Sequence, residues 1–258
     1  MLRRRTINTL TLITLVVLAI ASFYYVIPFW IFVIVGLFWF LITLCGSFLI
    51  RWNYHYTSTH SNKNVSDNCI AITFDDGPHP EFTPQILKLL EKYGAKATFF
   101  CIGKNVEDHP ALFKAIIAAG HTVGNHTYSH SKSFGFFSTE RVVQELQKTN
   151  AIVQELIGKR MKLYRPAFAV TNPSIEKAVK QLQLDSIGWN VRSLDTTPRS
   201  SSSVLNRITS KVTKGDIVLL HDTSDKTVIV LEQLLLFLKE RELKSVTVDH
   251  LLQLPAYV

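Results

Sequence analysis

The chain has 258 residues, of which 47% are hydrophobic and 19% charged, and this composition excludes an intrinsically disordered protein. The net charge is +8, but four of the positive charges are Arg3, Arg4, Arg5 and Arg51, beside a long apolar segment. The remaining surplus of +4 is spread along the chain without a basic cluster or interleaved aromatic residues. This distribution argues against a nucleic-acid-binding protein.

Residues 1–51 are predicted to be a membrane segment. No residue from Thr6 to Ile50 is charged, and this run is too long for one helical crossing, which takes about 20 residues. Pro28 divides it into two stretches of spanning length, about 10–27 and 29–50, with aromatic residues at the break and after the second stretch. We therefore predict a helical hairpin whose residues 7–50 contact the lipid bilayer.

The flanking arginines indicate the orientation of this multi-pass segment. They lie beyond both outer ends, and positive residues stay on the cytoplasmic side, so two crossings would leave the rest of the chain in the cytoplasm. Ala19–Ala21 also resembles a signal-peptide cleavage site, although the second stretch would then act as a stop-transfer segment. If only one stretch spans the membrane, the domain faces the exterior, and this alternative stays open.

The remainder of the chain is predicted to be a linker, residues 52–67, and one domain, residues 68–258. In the domain, short apolar runs alternate with amphipathic stretches, which is the pattern of an α/β fold built from βα units. Thr83 as the N-cap and Pro84 in the first turn predict the start of a helix. The stretch "LDSIGWNV" predicts one strand, and Ser245–Val248 predicts the last strand.

Polar residues end several of the predicted strands. They are Asp75, Asp76, His126, Arg165 and His221. In sheets of parallel strands the reactive groups gather at the carboxyl ends of the strands. We therefore expect these five side chains to share one rim.

The chemistry of this group favours a metal site. Taken alone, Asp75-Asp76-Gly77 favours a simple turn, although a nearby cation would keep both adjacent carboxylates ionised. His126 and His130 are spaced i, i+4, and on one helical turn both imidazoles could face one metal. One aspartate could then bind the cation while the other acts as a base. Taken alone, His221 would be interpreted as a histidine of the hydrophobic core, and Arg165 as an ordinary surface charge.

Five motifs resemble those of the polysaccharide deacetylase family, also called the NodB-homology or carbohydrate esterase 4 family. They are "TFDDGP", "HTYSH", "YRPAF", "WNVRSLD" and "LLH", in that order from Cys69 to the C-terminus. The resemblance implies a distorted (β/α) barrel of the NodB type. It also implies metal-dependent hydrolysis of an acyl group from an amino sugar.

The resemblance assigns the metal ligands and the base. Asp76, His126 and His130 would hold one divalent metal ion. This ligand set suits zinc, and cobalt, nickel, manganese or iron would fit as alternatives. Asp75 would be the catalytic base, and Arg165 the arginine that pairs with it.

The remaining roles also come from the resemblance. His221 would be the general acid that protonates the departing amine, and Asp195 the carboxylate that orients it. The backbone N–H of Phe168 would bind the oxyanion, and Leu219 would line the pocket for the acyl methyl group.

The sequence departs from the family pattern at two motifs. The third motif ends in Ala167-Phe168-Ala169 instead of Pro-Tyr-Gly, so a loop that needs φ > 0 at its last position would be reshaped. In the fourth motif Thr196 replaces a tryptophan that would wall the sugar groove, while Arg192 adds charge near the rim. These changes concern the substrate rather than the metal chemistry.

Three functions fit this pattern. The first is removal of an N-acetyl group from an amino-sugar glycan or a lipid-linked glycan precursor. The second is deformylation or another amide hydrolysis on a lipid-linked sugar, and the third is non-catalytic glycan binding. No sequence feature indicates an oligomeric state.

Overall fold

Eight parallel strands form one curled sheet in the computed structural model, which describes residues 3–258. The strands are β1 (Cys69–Asp75), β2 (Ala97–Cys101), β3 (Thr122–Asn125), β4 (Leu163–Tyr164), β5 (Asp185–Ser186), β6 (Val191–Arg192), β7 (Ile217–His221) and β8 (Lys244–Val246). Their order is β5-β4-β3-β2-β1-β7-β6, with β8 paired to the first half of β1. Parallel neighbours need crossover connections, which the helices supply. The arrangement confirms the predicted α/β fold.

Ten α-helices accompany the sheet within residues 3–258. Two are N-terminal, α1 (Arg4–Ala21) and α2 (Phe29–Phe48). The others are α3 (Phe82–Lys92), α4 (Gly103–Asp108), α5 (Pro110–Ala118), α6 (Thr139–Ile157), α7 (Pro173–Gln181), α8 (Ser201–Thr209), α9 (Asp225–Glu240) and α10 (Val248–Leu252).

Three predicted elements differ from those observed. The helix α3 begins at Phe82, so Thr83 lies in its first turn and is not its N-cap. The stretch "LDSIGWNV" contains the short strand β5 and leads into β6 after a break, because residues 187–190 leave the ladder. The last strand ends at Val246, since Val248 already begins α10.

Successive side chains of β1 point to opposite faces of the sheet and belong to two different apolar clusters. Ile72 and Phe74 pack under the helices in the larger cluster, whereas Ala71 belongs to the cluster inside the curl of the sheet. Side chains alternate between the faces of a strand, so Asp75 also points inward. The end of β1 thus delivers a carboxylate to the mouth of the curl.

The N-terminal helices form a hairpin. The predicted bounds were 10–27 and 29–50, and the first helix in fact begins and ends about six residues earlier. Both helices are long and apolar enough to cross a membrane, and only 6% of each apolar window is buried inside the protein. At 1.5 Å per residue they measure about 27 and 30 Å.

The base of the hairpin is bound to the domain. The N–H of Arg4 donates to the carbonyl of Tyr54 at 3.0 Å, and the N–H of Thr171 donates to the carbonyl of Ser47 at 2.8 Å. Gly46 of α2 lies against the buried Tyr54 ring, where a Cβ would come within 2.4 Å of the ring. The hairpin and the domain therefore meet through backbone hydrogen bonds and close packing.

Residues 52–67 follow the surface of the domain. Thr59 and Ser61 form single β-bridges with Ile187 and Asp216, and the Ser58 hydroxyl lies 2.8 Å from that of Ser186. This segment joins the hairpin to the sheet without a free length of chain between them.

Candidate active site

The predicted polar side chains gather at one mouth of the curled sheet. Asp75 ends β1, and the register places it beside His221 at the end of β7. On its other side Asp75 is level with Phe100, near the end of β2. Asn125, the last residue of β3, precedes His126 and pairs with Tyr164, which precedes Arg165. Parallel register alone thus brings these residues to the same rim.

Asp76, His126 and His130 form a cluster with the geometry of metal ligands. The Oδ1 atom of Asp76 lies 3.4 Å from Nε2 of His126 and 3.3 Å from Nε2 of His130, and the three donor atoms lie within 4.8 Å of one another. Ligands at zinc-type bond lengths in a tetrahedral site are about 3.3 Å apart. The donor set and its spacing therefore fit a divalent cation.

The sequence predicted that the two histidines lie on one helical turn, but the structure has no helix at these positions. Residues 126–130 form a loop in which Thr127 and His130 have φ of 67° and 46°. The loop is held from both sides. Asn125 accepts a hydrogen bond from the Thr127 N–H, and Glu145 accepts hydrogen bonds from the N–H and hydroxyl of Ser129. Thr127 itself accepts from the His130 N–H at 3.2 Å.

Neighbouring charges set the ionisation of the cluster. Burial alone would lower the pKa of His126, but the carboxylates of Asp75 and Asp76 outweigh burial and raise it. Burial and the positive His126 lower the pKa of His130 to about 4. Burial would raise the pKa of Asp76, but its hydrogen bond to His126 and the surrounding imidazoles hold it below its ordinary value. The two imidazoles therefore differ, since the pKa of His126 is raised and that of His130 is lowered.

Asp75 is paired with Arg165 in the interior. The Nη1 atom of Arg165 lies 2.7 Å from Oδ1 of Asp75, and both side chains are buried. The same guanidinium donates to the hydroxyl of Thr73 and to the carbonyls of Ile187 and Gly188. These hydrogen bonds fix the direction of the guanidinium. Together with the ion pair they offset the free-energy cost of burying its charge.

His221 is paired with Asp195. Its Nδ1 lies 2.9 Å from Oδ1 of Asp195, and its backbone N–H donates to Oδ2 of the same carboxylate. Ser193 and Thr227 also donate to Asp195, which is buried. Burial opposes the charge on His221, but the hydrogen bond and charge of Asp195 prevail and raise the pKa of His221 to about 9. The imidazole is thus protonated at neutral pH.

Phe168 contacts the cluster, whereas Leu219 lies on β7 near His221. The ring centroid of Phe168 lies 4.4 Å from that of His130, and its side chain is half exposed. Phe168 and Ala169 have φ of 56° and 61°, so Ala169 keeps the left-handed conformation for which the family pattern uses glycine. Leu219 is buried on β7, on the same face as His221 and two residues before it.

Sequence reasoning missed Asp222 and Glu145. Asp222 is fully buried, accepts a hydrogen bond from the hydroxyl of Thr83 and lies against Gly77, where a Cβ would come within 2.1 Å of Oδ2. Burial raises its pKa to about 7. The only sequence signal for Asp222 was its position next to His221. No sequence signal indicated Glu145, because this residue lies within an ordinary amphipathic helix.

Comparisons with known proteins agree with the resemblance. Residues 62–187 match the family model described as polysaccharide deacetylase. The chain is 35% identical over 193 residues to a peptidoglycan-N-acetylglucosamine deacetylase of Bacillus cereus, covering 73% of this chain and 90% of that enzyme. It is 30% identical over 182 residues to the peptidoglycan-N-acetylmuramic acid deacetylase PdaC of Bacillus subtilis, covering 70% of this chain but only 38% of that enzyme.

The fold is also shared with solved structures. The chain superposes on the Bc1960 peptidoglycan N-acetylglucosamine deacetylase with a TM-score of 0.71 at 30% identity, over 76% of this chain and 93% of that one. This likeness confirms the predicted NodB-type barrel.

Proposed function

Because this chain belongs to the polysaccharide deacetylase family, also called carbohydrate esterase 4, we propose that it is a metal-dependent hydrolase acting on the amide of an N-acetylated amino sugar. Its substrate would be a glycan or a lipid-linked glycan precursor. One observation carries this proposal. A single rim holds a metal-type cluster, a carboxylate fixed by arginine and an imidazole fixed by a carboxylate.

Asp76, His126 and His130 would hold the cation. Nδ1 of His126 lies 2.9 Å from the carbonyl of Arg165, an arrangement that leaves Nε2 free as a ligand atom. A cation bound there would polarise the acetamide carbonyl and lower the pKa of a water molecule. Two imidazole nitrogens and one carboxylate suit zinc, and cobalt, nickel, manganese or iron would also accept this set.

Asp75 would act as the general base. Its Oδ1 is engaged by Arg165, while its Oδ2 is directed towards the cluster, 3.9 Å from Nε2 of His126. That oxygen can accept the proton of a water molecule attacking the amide carbonyl. The buried guanidinium would keep the carboxylate in this direction.

His221 would act as the general acid. Because Asp195 engages Nδ1, the proton available for transfer is on Nε2. The raised pKa of His221 keeps that proton in place at neutral pH. Its transfer to the amide nitrogen would let the amine leave, with acetate as the second product.

The N–H of Phe168 would stabilise the oxyanion. No hydrogen bond within residues 3–258 uses this N–H, and the left-handed Phe168 lies beside His130. A free backbone donor next to the reacting carbonyl is the usual means of binding a tetrahedral oxyanion. Leu219, buried below His221, would bound the space for the acetyl methyl group.

The hairpin of α1 and α2 would anchor the enzyme in a membrane. Its large apolar side chains are exposed along both helices, and residues 23–26 at its tip are almost fully exposed. Exposing so much apolar surface to water is unfavourable, and contact with lipid chains would remove this cost. By the arginine distribution the catalytic domain would lie on the cytoplasmic side. A reporter fused after Val258 would decide between the two faces.

The proposal is tested by acetate release. We expect the full chain, purified in detergent, to release acetate from N-acetylglucosamine oligomers, to lose this activity with a chelator and to regain it with Zn²⁺. Formate release from the N-formyl analogue, measured in parallel, would identify a deformylase. Asp75→Asn should lose about 10²–10⁴-fold in activity, whereas Asp67→Asn, which removes an exposed carboxylate, should match the wild type. Chelator-resistant activity or wild-type activity of the Asp75→Asn enzyme would contradict the proposal.

A further inference from the structure

A basic cleft lies between the end of α2 and the rim of the candidate site. Its volume is about 510 Å³. Four cations line it, Arg51, Arg192, Arg207 and Lys211, together with Trp52 and Trp189. No acidic residue lines the cleft.

The cations of the cleft have no counter-charge in the protein. Among residues 3–258, none of them forms an ion pair within 4.0 Å. Arg207 uses only its Nε, which donates to the carbonyl of Arg192 at 2.9 Å, so its terminal amino groups remain available. The guanidinium of Arg192 stands 6.0 Å from the Trp189 ring. Four positive charges close together without a negative partner repel one another, and a bound anion would reduce this repulsion. Guanidinium groups suit phosphate because they can donate two parallel hydrogen bonds.

The position of the cleft links the membrane segment to the catalytic centre. At one end it is lined by Phe48 and Leu49, where α2 would leave the apolar part of a bilayer. At the other end it is lined by Ala169, next to Phe168, whose ring contacts His130. With α2 in a bilayer, the four cations would lie near the depth of the lipid phosphate groups. Ala169 in the cleft lining is adjacent in sequence to Phe168, which contacts the candidate ligand His130.

We propose that this cleft binds the phosphate that joins an amino sugar to a membrane lipid, so that the enzyme acts on a lipid-phosphate-linked sugar. This inference rests on the proposed deacetylase function and specifies its substrate class. The lipid tail would lie along the apolar end of α2, the phosphate among the cations, and the N-acetyl group at the metal cluster.

A binding experiment tests the cleft independently of catalysis. The full chain in detergent is titrated with phosphatidic acid, with diacylglycerol of the same acyl chains and with inorganic phosphate. Tryptophan fluorescence is recorded in a Trp30→Phe, Trp39→Phe background, so that the signal comes from Trp52 and Trp189. We expect phosphatidic acid to bind at least about tenfold more tightly than either of the others, with affinity falling as salt is raised. Equal binding of diacylglycerol would overturn the phosphate site, and equal binding of inorganic phosphate would overturn the lipid source.

Matched variants locate the binding. Arg192→Gln combined with Lys211→Gln should weaken phosphatidic acid binding about tenfold or more. Both side chains are exposed, and Arg207 with its backbone hydrogen bond is left intact. The control is Lys239→Gln, an exposed lysine in the last turn of α9 outside the cleft, which should bind like the wild type. Equal weakening in the control would show unspecific charge attraction and overturn the proposal.

A kinetic experiment connects the cleft to the substrate. Acetate release is measured from N-acetylglucosamine joined to a dodecyl chain through a phosphodiester and from the dodecyl glycoside without phosphate. The double variant should have a KM for the phosphodiester about tenfold higher than that of the wild type. Its KM for the glycoside should stay within about twofold of the wild-type value. Equal losses on both substrates, or no loss on either, would overturn the inference. If the wild type acts on neither substrate, the proposed function fails, and the binding titration still decides whether the cleft holds a lipid phosphate.

Discussion

Replacing Asp195 with asparagine tests the acid role of His221 through the pH dependence of the reaction. The pKa of His221 is raised from 6.5 to about 9, with Asp195 as the largest raising contribution and Asp75 and Asp76 as smaller ones. Complete loss of this rise would correspond to about 3.4 kcal/mol at 1.36 kcal/mol per pH unit. Since the other two carboxylates remain, we expect a decrease in the pKa of about 1–2 pH units.

The direction follows from the protonation state that the acid needs. His221 must carry its proton, so kcat is retained below the pKa of His221 and lost as the pH rises through it. The alkaline limb of the wild type should therefore follow the pKa of His221, which a bound cation places below the value of about 9 set by the protein groups alone. The alkaline limb of Asp195→Asn should move to lower pH, and at pH 8.5 the variant should lose about tenfold more activity than at pH 6.5.

The measurement is the position of the alkaline limb of kcat for acetate release, not the absolute rate. A bound cation adds positive charge and lowers the pKa in both enzymes, so the difference between them isolates Asp195. Ser193→Ala is the matched control, because it removes one hydrogen bond to Asp195 while keeping the charge, and it should shift the limb by less. Equal metal content and equal melting temperatures would exclude a folding defect. An alkaline limb that stays in place in Asp195→Asn would refute the reasoning.

Three further outcomes are expected. Asp75→Asn should lower kcat by about 10²–10⁴-fold with unchanged zinc content by mass spectrometry; loss of zinc would instead make Asp75 a ligand. His126→Ala should weaken zinc binding at least about tenfold in a competition titration with a chromophoric chelator, and retained affinity would contradict the assigned ligand set. Ala169→Gly should raise the free energy of unfolding by about 1 kcal/mol, because Ala169 has φ of 61°. Ala119→Gly, at a φ of −74°, should lower it in the same denaturation assay.

The location of the site could be predicted because it depends on strand ends. Asp75 and His221 each end an apolar run, and in a parallel sheet such ends lie at one edge. The ligand types were also visible, since two imidazoles and a carboxylate near one rim suggest a cation. The resemblance supplied the individual roles of these residues.

The conformation of the ligand loop could not be predicted. The spacing of His126 and His130 suggested a helical turn, yet residues at positive φ reverse the chain between them. That conformation is held by Asn125 and by Glu145, which lies 16 residues beyond Ser129. Local propensity does not report such contacts, and for the same reason Asp222 and its approach to Gly77 were missed.

The attachment of the hairpin determines how far the active site can reach. A flexible chain as long as residues 52–67 would span about 20–24 Å on average and would let the domain sweep the space around its anchor. Here that segment is bonded along the domain, and Thr171, two residues after Ala169, is hydrogen-bonded to the end of α2. With the helices in a bilayer, the catalytic mouth would stay at a fixed height and tilt. Distance from the lipid surface would then select substrates before any sugar contact is made.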